Sequence, residues 1–165
     1  MDVRARQRPL KERYRAEPGS SRITLTARGA EGDSPIACSV EVGRAIHEAQ
    51  AHAGVGGAGT GACSGDLLLG ALAACAQITC QMVAAALGLE LARAEVTVEG
   101  DLDLAGTLGI SREARVGFEA IRLRFDVDAP GASAEQLESL REKTERYCVV
   151  MQTLLDPPPI EVGFA

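Results

Sequence analysis

Between Asp66 and Glu90 the chain carries no charged residue. That run lies in "GACSGDLLLGALAACAQITCQMVAAALGLE", residues 61–90, and it is apolar around the full turn of a 3.6-residue period. A helix with no polar face has to be enclosed, either by lipid or by the rest of a fold. Composition decides between the two. The run is mostly Ala, Gly, Thr, Gln and Cys with few large aliphatics, it has no Trp or Tyr at its ends, and alternating segments flank it on both sides. The reading is therefore a central helix of a soluble domain and not a membrane span. Ser64 is placed to cap its start and Gly88 to close it. Its alanines and Gly70 would let a neighbouring backbone approach closely, as a helix–helix contact at a dimer interface requires.

Around this helix the hydrophobic period switches to two. Residues 21–27 alternate through Ile23, Leu25 and Ala27, and residues 36–42 through Ile36, Cys38, Val40 and Val42, with the turn-rich "GAEGDSP" between them. Residues 94–104 set Ala94, Val96, Val98, Leu102 and Leu104 against Glu95, Thr97, Glu99, Asp101 and Asp103. Ile121, Leu123, Phe125 and Val127 oppose Arg122, Arg124, Asp126 and Asp128. Strands of this kind form antiparallel sheets with one wet face. Ser133 followed by Gln136 resembles a capping box, and Leu137, Leu140, Thr144 and Tyr147 follow at helical spacing, so a surface helix is expected over 134–147. Pro157, Pro158 and Pro159 stop any helix and lead to an expected last strand at 160–164. Residues 54–62 hold five glycines in a loop too irregular to cradle phosphate, and it reads as a connector.

A chain of 165 residues fits one domain with a sizeable core. Its net charge of -6, from 17 basic and 23 acidic residues, comes with no basic block interleaved with aromatics, so nucleic acid is not an expected partner. Residues 1–20 form a basic arm, and residues 21–165 read as the domain. No apolar run follows the opening "MDVRARQRPLKERYR" as a secretory signal requires. Five cysteines with no Cys-x-x-Cys pair indicate neither a disulfide framework nor a zinc site, and a reducing cytoplasm is expected. His47 and His52 have no third ligand, so no metal or cofactor is expected.

The order of elements, from strand hairpin through glycine loop, uncharged helix with a central cysteine, strand pair and second helix to a second cysteine, resembles the OsmC family with its organic hydroperoxide resistance proteins. The resemblance covers residues from about 21 to 164. "GDLLLGALAAC" is similar to the family's Pro-Glu-x-Leu-Leu-x-Ala-x-x-Ala-Cys helix and sets Cys75 at the peroxidatic position. "ERYCVVMQTL" is similar to the family's Cys-Pro-Val segment and sets Cys148 at the resolving position. "GVGGAGTGACSG" looks like the family's Gly-Gly loop. The resemblance implies an α+β, OsmC-like fold in which antiparallel sheets wrap a long buried central helix, as an intertwined homodimer with sites at the subunit interface.

Helix geometry bears on the cysteines separately. At a rise of about 1.5 Å per residue, Cys80 lies about 7.5 Å and Cys63 about 18 Å along the axis from Cys75. A disulfide needs Cα atoms within about 7 Å, which leaves Cys38 and Cys148 as possible partners of Cys75. The family pattern selects Cys148. Attack on a peroxide also requires a thiolate, and Cys75 lies too deep in its helix for the helix dipole to ionise it. The resemblance implies an Arg from the first hairpin, held by a Glu. Arg28 is the expected cation and Arg44 the second candidate. The family's Glu falls on Gly65, with Asp66 beside it, and Val149 stands where the family has Pro. Cys38, Cys63 and Cys80 read as small buried hydrophobes.

Two functions follow as expectations. The first is a thiol peroxidase in which Cys75 attacks an organic hydroperoxide, condenses with Cys148, and is reset by a small dithiol or lipoyl-type reductant. Its pocket would be lined by Leu68, Leu72, Met82 and Tyr147. The second is a non-catalytic OsmC-like dimer that binds an apolar ligand or partner in the same interface cavity.

Overall fold

The computed structural model describes residues 3–24, 27–31, 37–42 and 45–164, and the side chains of 3–6, 10, 18, 19 and 27–47 lie outside that description. Helix α1 (Val3–Ala16) occupies the basic arm, with Pro9 inside it and Arg8 paired to Glu12 at 3.6 Å. The remainder forms two compact units, one built mainly from residues 5–70 and 99–122, the other from residues 71–98 and 123–164.

In the first unit β1 (Ala27–Glu31), β2 (Ala37–Val42) and β3 (Ala45–Gln50) form an antiparallel sheet in chain order. The strand expected over 21–27 begins where that expectation ends, since residues 21–24 lie in no strand and Leu25 is outside the described residues. β3 was not expected. Both corrections have one cause: "ARGAE" and "AIHEAQ" are poor in β-branched and aromatic residues, and their strand state comes from cross-strand pairing, such as Arg28 opposite Glu41 and Cys38 opposite Ala49.

β4 (Arg93–Asp101) and β5 (Ala120–Asp128) form a second sheet. Ala92 N–H bonds to Asp128 at one end and Glu119 N–H to Asp101 at the other, each at 2.8–2.9 Å, which makes the pair antiparallel. Arg93 meets Asp126 at 2.7 Å, and Arg122 meets both Asp101 and Glu99 across the wet face. β4 is shorter than its alternation predicts. Asp103 accepts the Ala105 N–H at 2.8 Å and starts a single turn, α3 (Leu104–Thr107), so a strong capping residue ends the strand before Leu104. The ring of Phe118 lies over Gly100, where an added Cβ would stand 2.5 Å from it, so that position admits only glycine unless the ring moves.

Helix α2 (Ser64–Leu87) runs for 24 residues. Its cap is not Ser64. The Cys63 carbonyl accepts the Leu67 N–H at 3.0 Å, making Cys63 the N-cap, and the Asp66 carboxylate reaches back to the Cys63 N–H at 2.8 Å. Asp66, three residues into the helix, satisfies an orphan donor and complements the dipole at once, which a serine one residue later does not do. Gly88 closes the helix as expected, with φ of 76° and Leu89 N–H bonded to the Ala84 carbonyl at 2.9 Å.

In the second unit one stripe of α2, Leu72, Ala76, Cys80, Val83 and Ala84, is buried. Cys80, Val83 and Ala84 join Leu140 in a core completed by Leu87, Leu89, Leu91, Phe125 and Val127. Ile78 on the same helix is 56% exposed, so among the described residues the helix is enclosed on one side only. By length and composition it could cross a membrane, but its buried stripe packs against this core. Helix α4 (Ala134–Tyr147) begins with the expected capping box of Ser133 and Gln136. A further helix, α5 (Val149–Leu155), follows directly and ends before the three prolines. The expected strand at 160–164 is not formed. Ile160, Val162 and Phe164 alternate outward and are exposed, because a strand needs a neighbouring edge to satisfy its backbone.

Candidate functional site

Cys148 stands at the joint between α4 and α5. Its N–H closes α4 on the Thr144 carbonyl at 3.0 Å, and its carbonyl opens α5 by accepting the Gln152 N–H at 2.9 Å. The Gln152 side chain donates to the Glu145 carbonyl at 2.9 Å and so ties the two helices across the joint. The side chain of Cys148 is 0% exposed. It lies against Cys75, which is half-buried in the middle of α2, and the two thiols are within hydrogen-bonding reach. Neither is part of a disulfide.

The surroundings drive the two sulfurs apart in acidity. Burial pushes the Cys75 thiol up, but the backbone N–H of Val150, the Cys148 thiol, the Thr79 hydroxyl and the backbone N–H of Val149 all favour its thiolate, and together they hold it below the ordinary thiol value. Burial pushes Cys148 up, and the adjacent Cys75 sulfur pushes it further, against the N–H groups of Met151 and Val150. The surroundings therefore favour ionisation of the first sulfur and oppose it at the second. This arrangement suits nucleophilic attack by the first and later condensation with the second.

Of the residues singled out from the sequence, the structure brings Cys75 and Cys148 together. Thr79 and the amides of Val149 and Val150 were not anticipated. Thr79 could have been found, since it stands four residues after Cys75 on the same helix face. Backbone donors leave no trace in a sequence pattern. Arg28 lies on β1, but its side chain is outside the described residues, and Arg44 is outside them altogether.

The other thiols have different settings. Burial raises Cys80, and the nearby Thr144 hydroxyl is itself buried without a hydrogen-bond partner among the described residues. Cys80 faces a groove of about 630 Å³ lined by Phe125, Leu140, Thr144, Met151 and Leu155, about 140° round α2 from Cys75. Cys63 caps α2 beside a hollow of about 280 Å³ with His52, Asp66 and Phe118. The Asp66 carboxylate is committed to Cys63, whose backbone N–H and thiol both donate to it and hold it below the usual carboxylate range. Among the described residues no group of three or more His, Cys, Asp or Glu could hold a metal ion. Of the expected pocket residues, Leu72 is sealed in the core, while Leu68, Met82 and Tyr147 are exposed.

The family model described as OsmC-like protein matches residues 57–163. The chain belongs to the OsmC-like family. Among solved structures it is similar to an OsmC-like protein from Mycoplasma pneumoniae, with a TM-score of 0.67 at 15% identity over 82% of this chain and 89% of that one. It is also similar to an OsmC-like protein of unknown function from Vibrio cholerae, with a TM-score of 0.65 at 15% identity over 80% and 94%. An organic hydroperoxide resistance protein from Elizabethkingia anophelis gives a TM-score of 0.61 at 18% identity over 83% and 91%. At these identities the likeness is one of fold, and it establishes the OsmC-like α+β fold for this chain. A search of curated protein sequences gave no match.

Proposed function

We propose that this OsmC-like protein is a thiol-dependent peroxidase acting on organic hydroperoxides. The observation that carries the reading is the juxtaposition of Cys75 and Cys148, with the surroundings easing the first sulfur towards the thiolate and pushing the second the other way. Cys75 thiolate attacks the outer oxygen of ROOH, the O–O bond breaks, and RO⁻ leaves to take a proton as ROH, so that Cys75 becomes a sulfenic acid. The Cys148 sulfur then displaces the sulfenic oxygen, which leaves with two protons as water, and a Cys75–Cys148 disulfide forms. A small dithiol or lipoyl-type reductant exchanges with that disulfide, returning two thiols and leaving as its own cyclic disulfide. Arg28 is the cation assigned to the thiolate, with Glu41 directly across the ladder from it. The working unit is a homodimer in the cytoplasm, where both thiols stay reduced between turnovers.

One observation favours a second reading, a non-catalytic dimer that binds an apolar ligand or partner. Gly65 carries no carboxylate, and Asp66 is engaged at the α2 cap, so neither is free to hold an arginine. Consumption of cumene hydroperoxide with a dithiol present separates the two. The wild type should turn over and Cys75→Ser should fall to the uncatalysed rate; equal rates would leave the binding reading.

A further inference from the structure

We propose that Gln152 is a positioning residue for the Cys75–Cys148 pair, its side chain holding the bend between α4 and α5 by occupying the Glu145 carbonyl. This rests on the reading of the two thiols as the working pair of the site. From Ala134 to Asp156 there is no glycine or proline. Leu137, Leu140, Thr144, Cys148, Met151 and Leu155 keep the spacing of one helical stripe from end to end. The local sequence thus encodes one unbroken helix. The structure instead bends at Cys148, whose backbone is extended with φ of -73° and ψ of 103°.

In an unbroken helix the Val149 N–H would take the Glu145 carbonyl. Here the Gln152 side chain takes it instead, at 2.9 Å. Seven residues of straight helix would put Gln152 about 10 Å along the axis from Glu145, so this bond belongs to the bent form alone. The straight and bent forms compete for one acceptor, and Gln152 decides the contest.

The bend matters to the sulfurs because of what it releases. It frees the N–H groups of Val149, Val150 and Met151 from the carbonyls four residues back, and the Cys148 side chain makes no cap bond to α5. Those freed donors lie at the thiol pair, Val149 and Val150 towards Cys75, Val150 and Met151 towards Cys148. Cys148 itself is wholly enclosed at the bend. Straightening would swing everything after Cys148 away through its ψ angle, withdrawing the first turn of α5 and uncovering the Cys148 sulfur. Gln152 is exposed, so it can be replaced without opening the core.

The test is iodoacetamide alkylation of the full-length reduced protein at neutral pH, read at each cysteine by tandem mass spectrometry. Gln152→Met keeps the length and helix propensity of the side chain and removes its donor. A buried thiol reacts through opening of its cover, so loss of one hydrogen bond of ordinary strength should speed alkylation of Cys148 about fivefold. The Cys75 rate should not rise. Val149→Pro blocks the straight form, because proline has no N–H for Glu145 and its ring clashes with that carbonyl in a helix, yet it suits the first position of α5. Alone it should leave Cys148 no faster than in the wild type, and combined with Gln152→Met it should abolish the fivefold gain. An unchanged Cys148 rate in Gln152→Met overturns the proposal. So does an equal rise at both thiols, which is general loosening, or a gain that persists beside Val149→Pro. Because no hydroperoxide is present, a Gln152-dependent Cys148 rate in a protein that fails to consume cumene hydroperoxide would remove the peroxidase reading alone.

Discussion

At the scale of single residues, the opposite displacement of two adjoining thiols predicts their chemistry. Cys75, held below the ordinary thiol value, should reach its alkylation plateau at lower pH than free cysteine, and its rate should fall as pH drops through its own ionisation. Cys148, pushed up and fully buried, should remain the slower of the two across the neutral range. Site-resolved alkylation from pH 5 to 10 checks the order. With Cys148→Ser the sulfenic acid on Cys75 has no thiol to condense with, so activity should decay progressively during turnover as sulfinic acid accumulates. Mass mapping after peroxide should find a Cys75–Cys148 link in the wild type; a Cys38–Cys75 link would assign the resolving role elsewhere. Both cysteines were singled out in the sequence by segments similar to the family's motifs, with their roles a matter of the proposal. The donors around Cys75 were not, since two are main-chain amides and the third is a threonine of a kind found on many helices.

Single elements depended on how far their own side chains specify them. α4 was readable to the residue because Ser133 and Gln136 form a reciprocal cap and the apolar positions keep one stripe. Ser133→Ala should cost about 1 kcal/mol in thermal unfolding, and Ser133→Asp far less, since aspartate also accepts the freed N–H. Gly88→Ala should cost about 1 kcal/mol as well, because φ of 76° strains any residue bearing a Cβ. β1 and β3 were obscured for the complementary reason. They owe their state to β2 between them, and pairing partners distant in sequence cannot be read from a local pattern.

For the molecule as a whole, the exposed side of α2 and the unpaired apolar alternation of Ile160, Val162 and Phe164 are the features that a second subunit would cover. Sedimentation at micromolar concentration should show a dimer, and deletion of residues 1–20 should leave it intact; a folded monomer would contradict the proposal. The OsmC-like fold was legible through the resemblance carried by the segments around Cys75 and Cys148, whereas the long uncharged helix by itself pointed only to a central helix of a soluble domain. The position of the exposed C-terminal segment was not legible, because its backbone has to be satisfied by something other than the segment itself.

The unit that holds both thiols is discontinuous in the chain, made mainly from residues 71–98 and 123–164. On the ribosome, Cys75 is therefore polymerised well before Cys148 and before the amides of Val149 and Val150. At ordinary rates of synthesis the interval is on the order of ten seconds. Throughout it Cys75 lacks the Cys148 thiol and the Val149 and Val150 amides that favour its thiolate in the folded protein. On the proposed peroxidase reading, the attacking thiol gains these donors only once the last helix has been delivered.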